Sequence, residues 1–169
     1  MKPQRPVVCT LASMVLFCLS YPASGQTPEH ARLSLFEGFW VFTGRLGGIE
    51  YGVAGANTHT ESCQLIGSHF VACQYEVNAP ASPYSGIGIV GYDAEDHSYS
   101  FTSYDSRGTI TRLRAPVQAD RWVWEVGSNS RVVWEQLSPT AYAYRAEARD
   151  STGGWRAVSE GRYDKVRAK

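Results

Sequence analysis

From Gly38 to Asp164 apolar and polar residues alternate with a period of two, the signature of strands with one buried face. Clusters of Gly, Pro, Asn, Asp and Ser interrupt the alternation roughly every eight to twelve residues. Strands are predicted near Gly38–Leu46, Thr58–Leu65, Phe70–Val77, Tyr84–Tyr92, Ser98–Tyr104, Thr109–Ala115, Trp122–Val126, Arg131–Gln136, Ala141–Arg149 and Trp155–Asp164. The breaks at Asp93–Asp96, Asp105–Gly108, Gly127–Asn129 and Ser151–Gly154 hold the residues that tight hairpins need, so consecutive strands pair antiparallel. Gly47–Asn57 and Asn78–Pro83 are expected to be longer loops. Ahead of the strands, Ala31, Leu33, Leu35 and Phe36 are spaced for a short helix or turn packed on the domain.

About ten hairpin-linked strands laid flat would expose two edges, and closure into an up-and-down barrel removes them. The expected fold class is therefore all-β, an antiparallel β-barrel; a two-sheet sandwich is the alternative that the same periodicity permits. Trp122, Trp124, Trp134, Tyr142, Tyr144 and Trp155 fall on one face of successive strands, opposite Arg121, Glu125, Arg145, Glu147, Arg156 and Glu160. These six rings are the expected ligand-binding wall of an aromatic-lined lumen, with a small apolar molecule as partner. The competing expectation is a filled interior, which would make the chain a solid-core structural or interaction module of the cell envelope. A void of about 300 Å³ or more would favour binding.

The first residues change the compartment. Lys2 and Arg5 precede a short apolar run from Val7 to Leu19, followed by Ala23 and Gly25 at the −3 and −1 positions of a cut before Gln26. That order is expected of a cleaved secretory signal peptide over residues 1–25, leaving 26–169 as a single barrel domain, periplasmic or secreted, with no transmembrane segment after processing. Losing Lys2 and Arg5 tips the balance of 16 basic and 16 acidic side chains slightly negative. With Lys165 and Lys169 the remaining lysines and the arginines scattered among acids, no nucleic-acid footprint exists.

Processing also removes Cys9 and Cys18, leaving Cys63 and Cys73 for an oxidising compartment. A hairpin centred on Ser68 sets the two opposite each other, within reach of a disulfide bond. A turn of different length would slip the register and leave two buried thiols.

No catalytic residue and no cofactor is indicated. His30 and His97 are expected on the surface, and His59 and His69, flanking the Cys hairpin, offer a two-ligand edge where catalytic zinc takes about three protein ligands. Asp93-Ala94-Glu95-Asp96 reads as a turn rather than a calcium loop. Gly86-Ile87-Gly88-Ile89-Val90-Gly91 matches Gly-x-Gly-x-x-Gly but is followed by no helix to receive phosphates. The glycines of Tyr84–Tyr92 are instead expected to leave room opposite the aromatic wall.

Phe36-Glu37-Gly38-Phe39-Trp40, a helical turn followed by Gly-x-Trp, resembles the N-terminal signature of lipocalins and the wider calycin group. That resemblance implies that Trp40 closes one barrel end with a cation from the last strand, Arg162 or Lys165, across its ring. The chain is also similar in layout to the bacterial domain-of-unknown-function 1579 family, through Gly38-Phe39-Trp40, Glu61-Ser62-Cys63, Gly67, Phe70-Val71, Tyr84-Ser85-Gly86-Ile87-Gly88, Gly91-Tyr92-Asp93, Tyr104-Asp105-Ser106-Arg107-Gly108 and Glu160-Gly161-Arg162-Tyr163. The family resemblance implies a calycin-like barrel and carries no established activity.

Overall fold

Alternation and turn residues divide the chain where the sequence breaks. The structure, a computed structural model, describes residues 27–46, 55–78 and 83–167, and the expected signal peptide lies outside them. Helix α1 (Pro28–Arg32) runs into a 3-10 turn, Leu33–Phe36. Ten strands follow among the described residues: β1 (Gly38–Leu46), β2 (Gly55–Ile66), β3 (Phe70–Asn78), β4 (Tyr84–Asp93), β5 (Ser98–Asp105), β6 (Ile110–Pro116), β7 (Arg121–Glu125), β8 (Ser130–Ser138), β9 (Ala141–Arg149) and β10 (Trp155–Val166). All ladders are antiparallel, in the order β6-β5-β4-β3-β2-β1-β10-β9-β8-β7.

The barrel is nearly closed rather than closed: β6 and β7 end the sheet and share no ladder. β7 stops at Glu125, because Val126 already serves the next turn, its N–H donating to Ser130 O before Gly127 at φ 73°. In the β2–β3 hairpin, Gly67 takes φ 59° in the turn, and Cys63 faces Cys73 and is bonded to it. Gly55–Asn57, expected in a loop, extends β2 along β1 as far as Leu46↔Gly55.

The N-terminal turn caps one end. Thr27 caps α1 by accepting from the His30 N–H. Leu33 and Phe36 are buried beneath it. His30, expected on the surface, is 7% exposed, because its ring packs edge-on against His69 at 4.7 Å and Tyr92 at 5.1 Å. The Tyr99 hydroxyl donates to Glu29 O at 3.2 Å and the Arg32 guanidinium sits 4.5 Å from the Trp122 ring centre, tying the turn to β5 and β7.

Trp40 is fully buried at this end and donates its indole N–H to Phe36 O at 2.8 Å. The cation over its ring is Lys165, with Nζ 5.4 Å from the centroid. Arg162 does not take that place, because the β1–β10 register sets Trp40 opposite Lys165 and Arg162 opposite Thr43, on the outer face. There Arg162 binds Asp164 at 2.8 Å. Gly38 completes the arrangement: a Cβ at that position would collide with Cε of Lys165, so Gly-x-Trp leaves the lysine stem room to cross the barrel end.

Candidate functional site

Below the cap, inward positions of neighbouring strands form two rows. One runs Tyr75–Glu61–Trp40–Lys165 across β3, β2, β1 and β10. The next runs Val77–His59–Phe42–Tyr163–Tyr142 across β3, β2, β1, β10 and β9. Against these rows a cavity of about 190 Å³ passes along the lumen from Phe36 under the cap to Tyr84, Asp105, Arg107 and Thr109 at the opposite end. Its apolar wall includes Phe42, Val77, Val90, Phe101, Leu113, Val132 and Trp134, and its polar lining includes His59, Glu61, Tyr75 and Ser103. This volume is below the roughly 300 Å³ of ordinary small-molecule sites. It exceeds the ~150 Å³ engineered void that takes up benzene, so one six-membered ring is the scale of guest it admits.

The six expected wall residues are not all brought together. Trp134, Tyr142 and Tyr144 line the cavity. Trp122 and Trp124 are fully buried and do not line it: Trp122 packs on Phe36 at 5.0 Å, and Trp124 on Trp134 at 5.1 Å. Trp155 is on the outside. A β-bulge between Ala157 and Ser159 shifts the β9–β10 register, placing Trp155 opposite Arg149, with the Arg131 and Arg149 guanidiniums 4.2 and 4.5 Å from its ring. Simple alternation carries Trp155 to the wrong face because one extra residue inverts everything beyond it.

Of the β4 glycines, Gly88 lines the cavity, but the room beside Gly86 is already taken. A Cβ on Gly86 would strike the Tyr75 ring, and one on Gly88 would come within 3.0 Å of Phe101. The Tyr75 ring occupies the room Gly86 leaves, while Phe101 lies beside Gly88 along the cavity.

Within this aromatic lining lies a polar cluster. His59 Nε2 is 3.1 Å from Glu61 Oε1, His59 Nδ1 is 3.0 Å from the Tyr163 hydroxyl, and the Tyr142 hydroxyl is 3.5 Å from Glu61 Oε2. The His59 and Glu61 side chains are only 14% and 17% exposed. Burial, then the charge and hydrogen bonding of Glu61, hold the Tyr142 phenol well above its ordinary value of 10.0. Burial also raises Tyr75. At the far end Arg107 grips Asp105 through Nη2 at 2.6 Å and Nε at 3.0 Å and lies 3.7 Å from the Tyr84 ring centre. Burial pushes the Asp105 carboxyl up, but the Arg107 and backbone hydrogen bonds outweigh it and hold the group below 3.8.

Sequence reasoning left His59 and Glu61 out of the lumen. A signal for them existed: once Cys63 points inward to bond Cys73, alternation carries Glu61 and His59 to the same face. The His59–His69 edge does not form, since His59 stands opposite Val77 and His69 belongs to the turn at the capped end, beside His30. Glu61, Cys63 and Cys73 bring ligand atoms within 4.8 Å of one another, but both sulfurs are spent in the disulfide, so the set does not offer a thiolate metal site.

Residues 25–115 match a family model described as protein of unknown function (DUF1579). No curated protein sequence matches the chain. Among solved structures, Rv2717c from M. tuberculosis is similar at 12% identity and a TM-score of 0.60, over 85% of this chain and 100% of that one. A de novo designed fluorescence-activating β-barrel is similar at 16% identity and a TM-score of 0.47, over 79% of this chain and 96% of the design. At such identities the likeness to Rv2717c is one of fold. Among the described residues no helix is long and apolar enough to cross a membrane.

Proposed function

Because this chain belongs to the DUF1579 family, whose members are described only as proteins of unknown function, its role must be read from the lumen, and we propose that it binds a small, largely apolar molecule there. The observation that carries this reading is the cavity of about 190 Å³ among the aromatic side chains of the barrel interior. Trp134, Tyr142 and Tyr144 form its wall together with Phe42 and Phe101. A single ring buries about 150–250 Å², worth about 4–6 kcal/mol at ~25 cal/mol per Å² before association costs, so the dissociation constant should be no tighter than tens of micromolar.

Export of the chain belongs to the same proposal. A disulfide between Cys63 and Cys73 supports an oxidising compartment, periplasmic or extracellular. N-terminal sequencing of the protein from its own cells should find Gln26 first; an intact Met1 would oppose export.

Titration with toluene, followed by intrinsic tryptophan emission, tests the binding reading. Saturable change is expected in the wild type, with loss in Thr111→Phe, which puts a ring into the lumen from β6. A flat response in both would favour the second reading, an interaction module. That reading has its own observation: Ile87, Tyr104 and Ile110 form one row across the outer faces of β4, β5 and β6, each 43–50% exposed.

A further inference from the structure

Resting on the lumen reading, we infer that the bound molecule is a small protonated amine, its ammonium seated on Glu61 and its hydrocarbon among the aromatic rings. Glu61 lines the cavity and is largely withdrawn from water. A buried carboxylate has four lone-pair positions to satisfy and is costly to leave without a counter-charge. What surrounds Glu61 is incomplete. His59 Nε2 is near Oε1 yet makes no aligned hydrogen bond, and the Tyr142 hydroxyl stands 3.5 Å from Oε2, at the outer limit of a hydrogen bond.

Apart from His59, the cations along the cavity are engaged elsewhere. Asp105 and Arg107 neutralise each other at 2.6 Å, so the guanidinium nearest the far end is already engaged. Lys165 shares the Glu61 row but stands across Trp40, with its ammonium over that ring. Among the lining residues beside the carboxylate, His59 is the one able to carry a positive charge. An ammonium offers three donors to Glu61 through charge-assisted bonds, and the aromatic lining favours a cation over an anion. Ligands headed by carboxylate or phosphate would meet Glu61 with like charge.

Size narrows the class further. About 190 Å³ holds one ring with a short aminoalkyl arm and excludes long-chain amines.

Calorimetric titration of the disulfide-intact protein at neutral pH with benzylamine, benzyl alcohol, toluene and benzoate tests the inference. Benzylamine should bind about tenfold or more tightly than toluene, and benzoate should not bind. Glu61→Gln should bring benzylamine to the level of toluene while leaving toluene unchanged. Toluene or benzyl alcohol binding as tightly as benzylamine, or benzoate binding best, would overturn the amine assignment and leave the lumen reading standing. Silence from all four would overturn both. Should Glu61→Gln fail to fold, the ranking of the four compounds on the wild type still decides the matter.

Discussion

Replacing Trp40 with alanine should be the most damaging change at the capped end. The side chain is fully buried, touches Tyr142 edge-on at 5.1 Å and gives its N–H to Phe36 O. Losing that volume costs about 3–5 kcal/mol, and leaving the Phe36 carbonyl unpaired adds about 1–3 kcal/mol. Together they approach the whole stability of an ordinary domain, about 5–15 kcal/mol. Lys165→Ala, which removes the half-buried cation over the ring, should cost about 0.5–1 kcal/mol. Arg162→Ala should be near neutral, because its pair with Asp164 is exposed on the outer face. Urea unfolding followed by far-UV circular dichroism measures all three. A loss for Arg162→Ala equal to that for Lys165→Ala, or a loss below about 1 kcal/mol for Trp40→Ala, would refute the assignment of the plug.

Three further outcomes follow from the same structure. Cys63→Ser with Cys73→Ser opens a loop with a sequence separation of 10 and should lower stability by about 2–3 kcal/mol, read as a fall in the urea midpoint. Gly161→Ala should cost more than about 2 kcal/mol, since its Cβ would strike the Phe42 ring and the backbone of Thr43; unchanged stability would mean the Phe42 ring does not lie against Gly161. Burial first, then the neighbouring His69, hold His30 below its ordinary 6.5, so the unfolded chain takes up the proton first and stability should fall as pH drops through 6.5 and below. His30→Gln should flatten that acid limb of a pH series of urea midpoints.

Period-two alternation and the Gly, Asp and Asn turns made the strands and their antiparallel order readable, and the ten predicted strands occur within a few residues of their expected bounds. The Cys63–Cys73 pairing was readable as one of two outcomes, and the turn that forms at Gly67–His69 sets the register that bonds them. Other features depend on events that alternation does not encode. The bulge before Ser159 turned Trp155 outward, and the β1–β10 register chose Lys165 over Arg162. The space beside Gly86 was claimed by Tyr75, a residue eleven positions earlier whose reach only the paired strands reveal. Reading the aromatic wall from the C-terminal half alone hid the polar cluster, because His59 and Glu61 enter from β2.

Diffraction from crystals of the intact protein grown with bromobenzene would show whether the lumen takes a guest. One anomalous bromine peak is expected inside the lumen, between Trp134, Tyr144 and Phe42, and it should vanish in Thr111→Phe. Bromine found only over the outer row of Ile87, Tyr104 and Ile110, with the lumen unoccupied, would contradict the lumen reading.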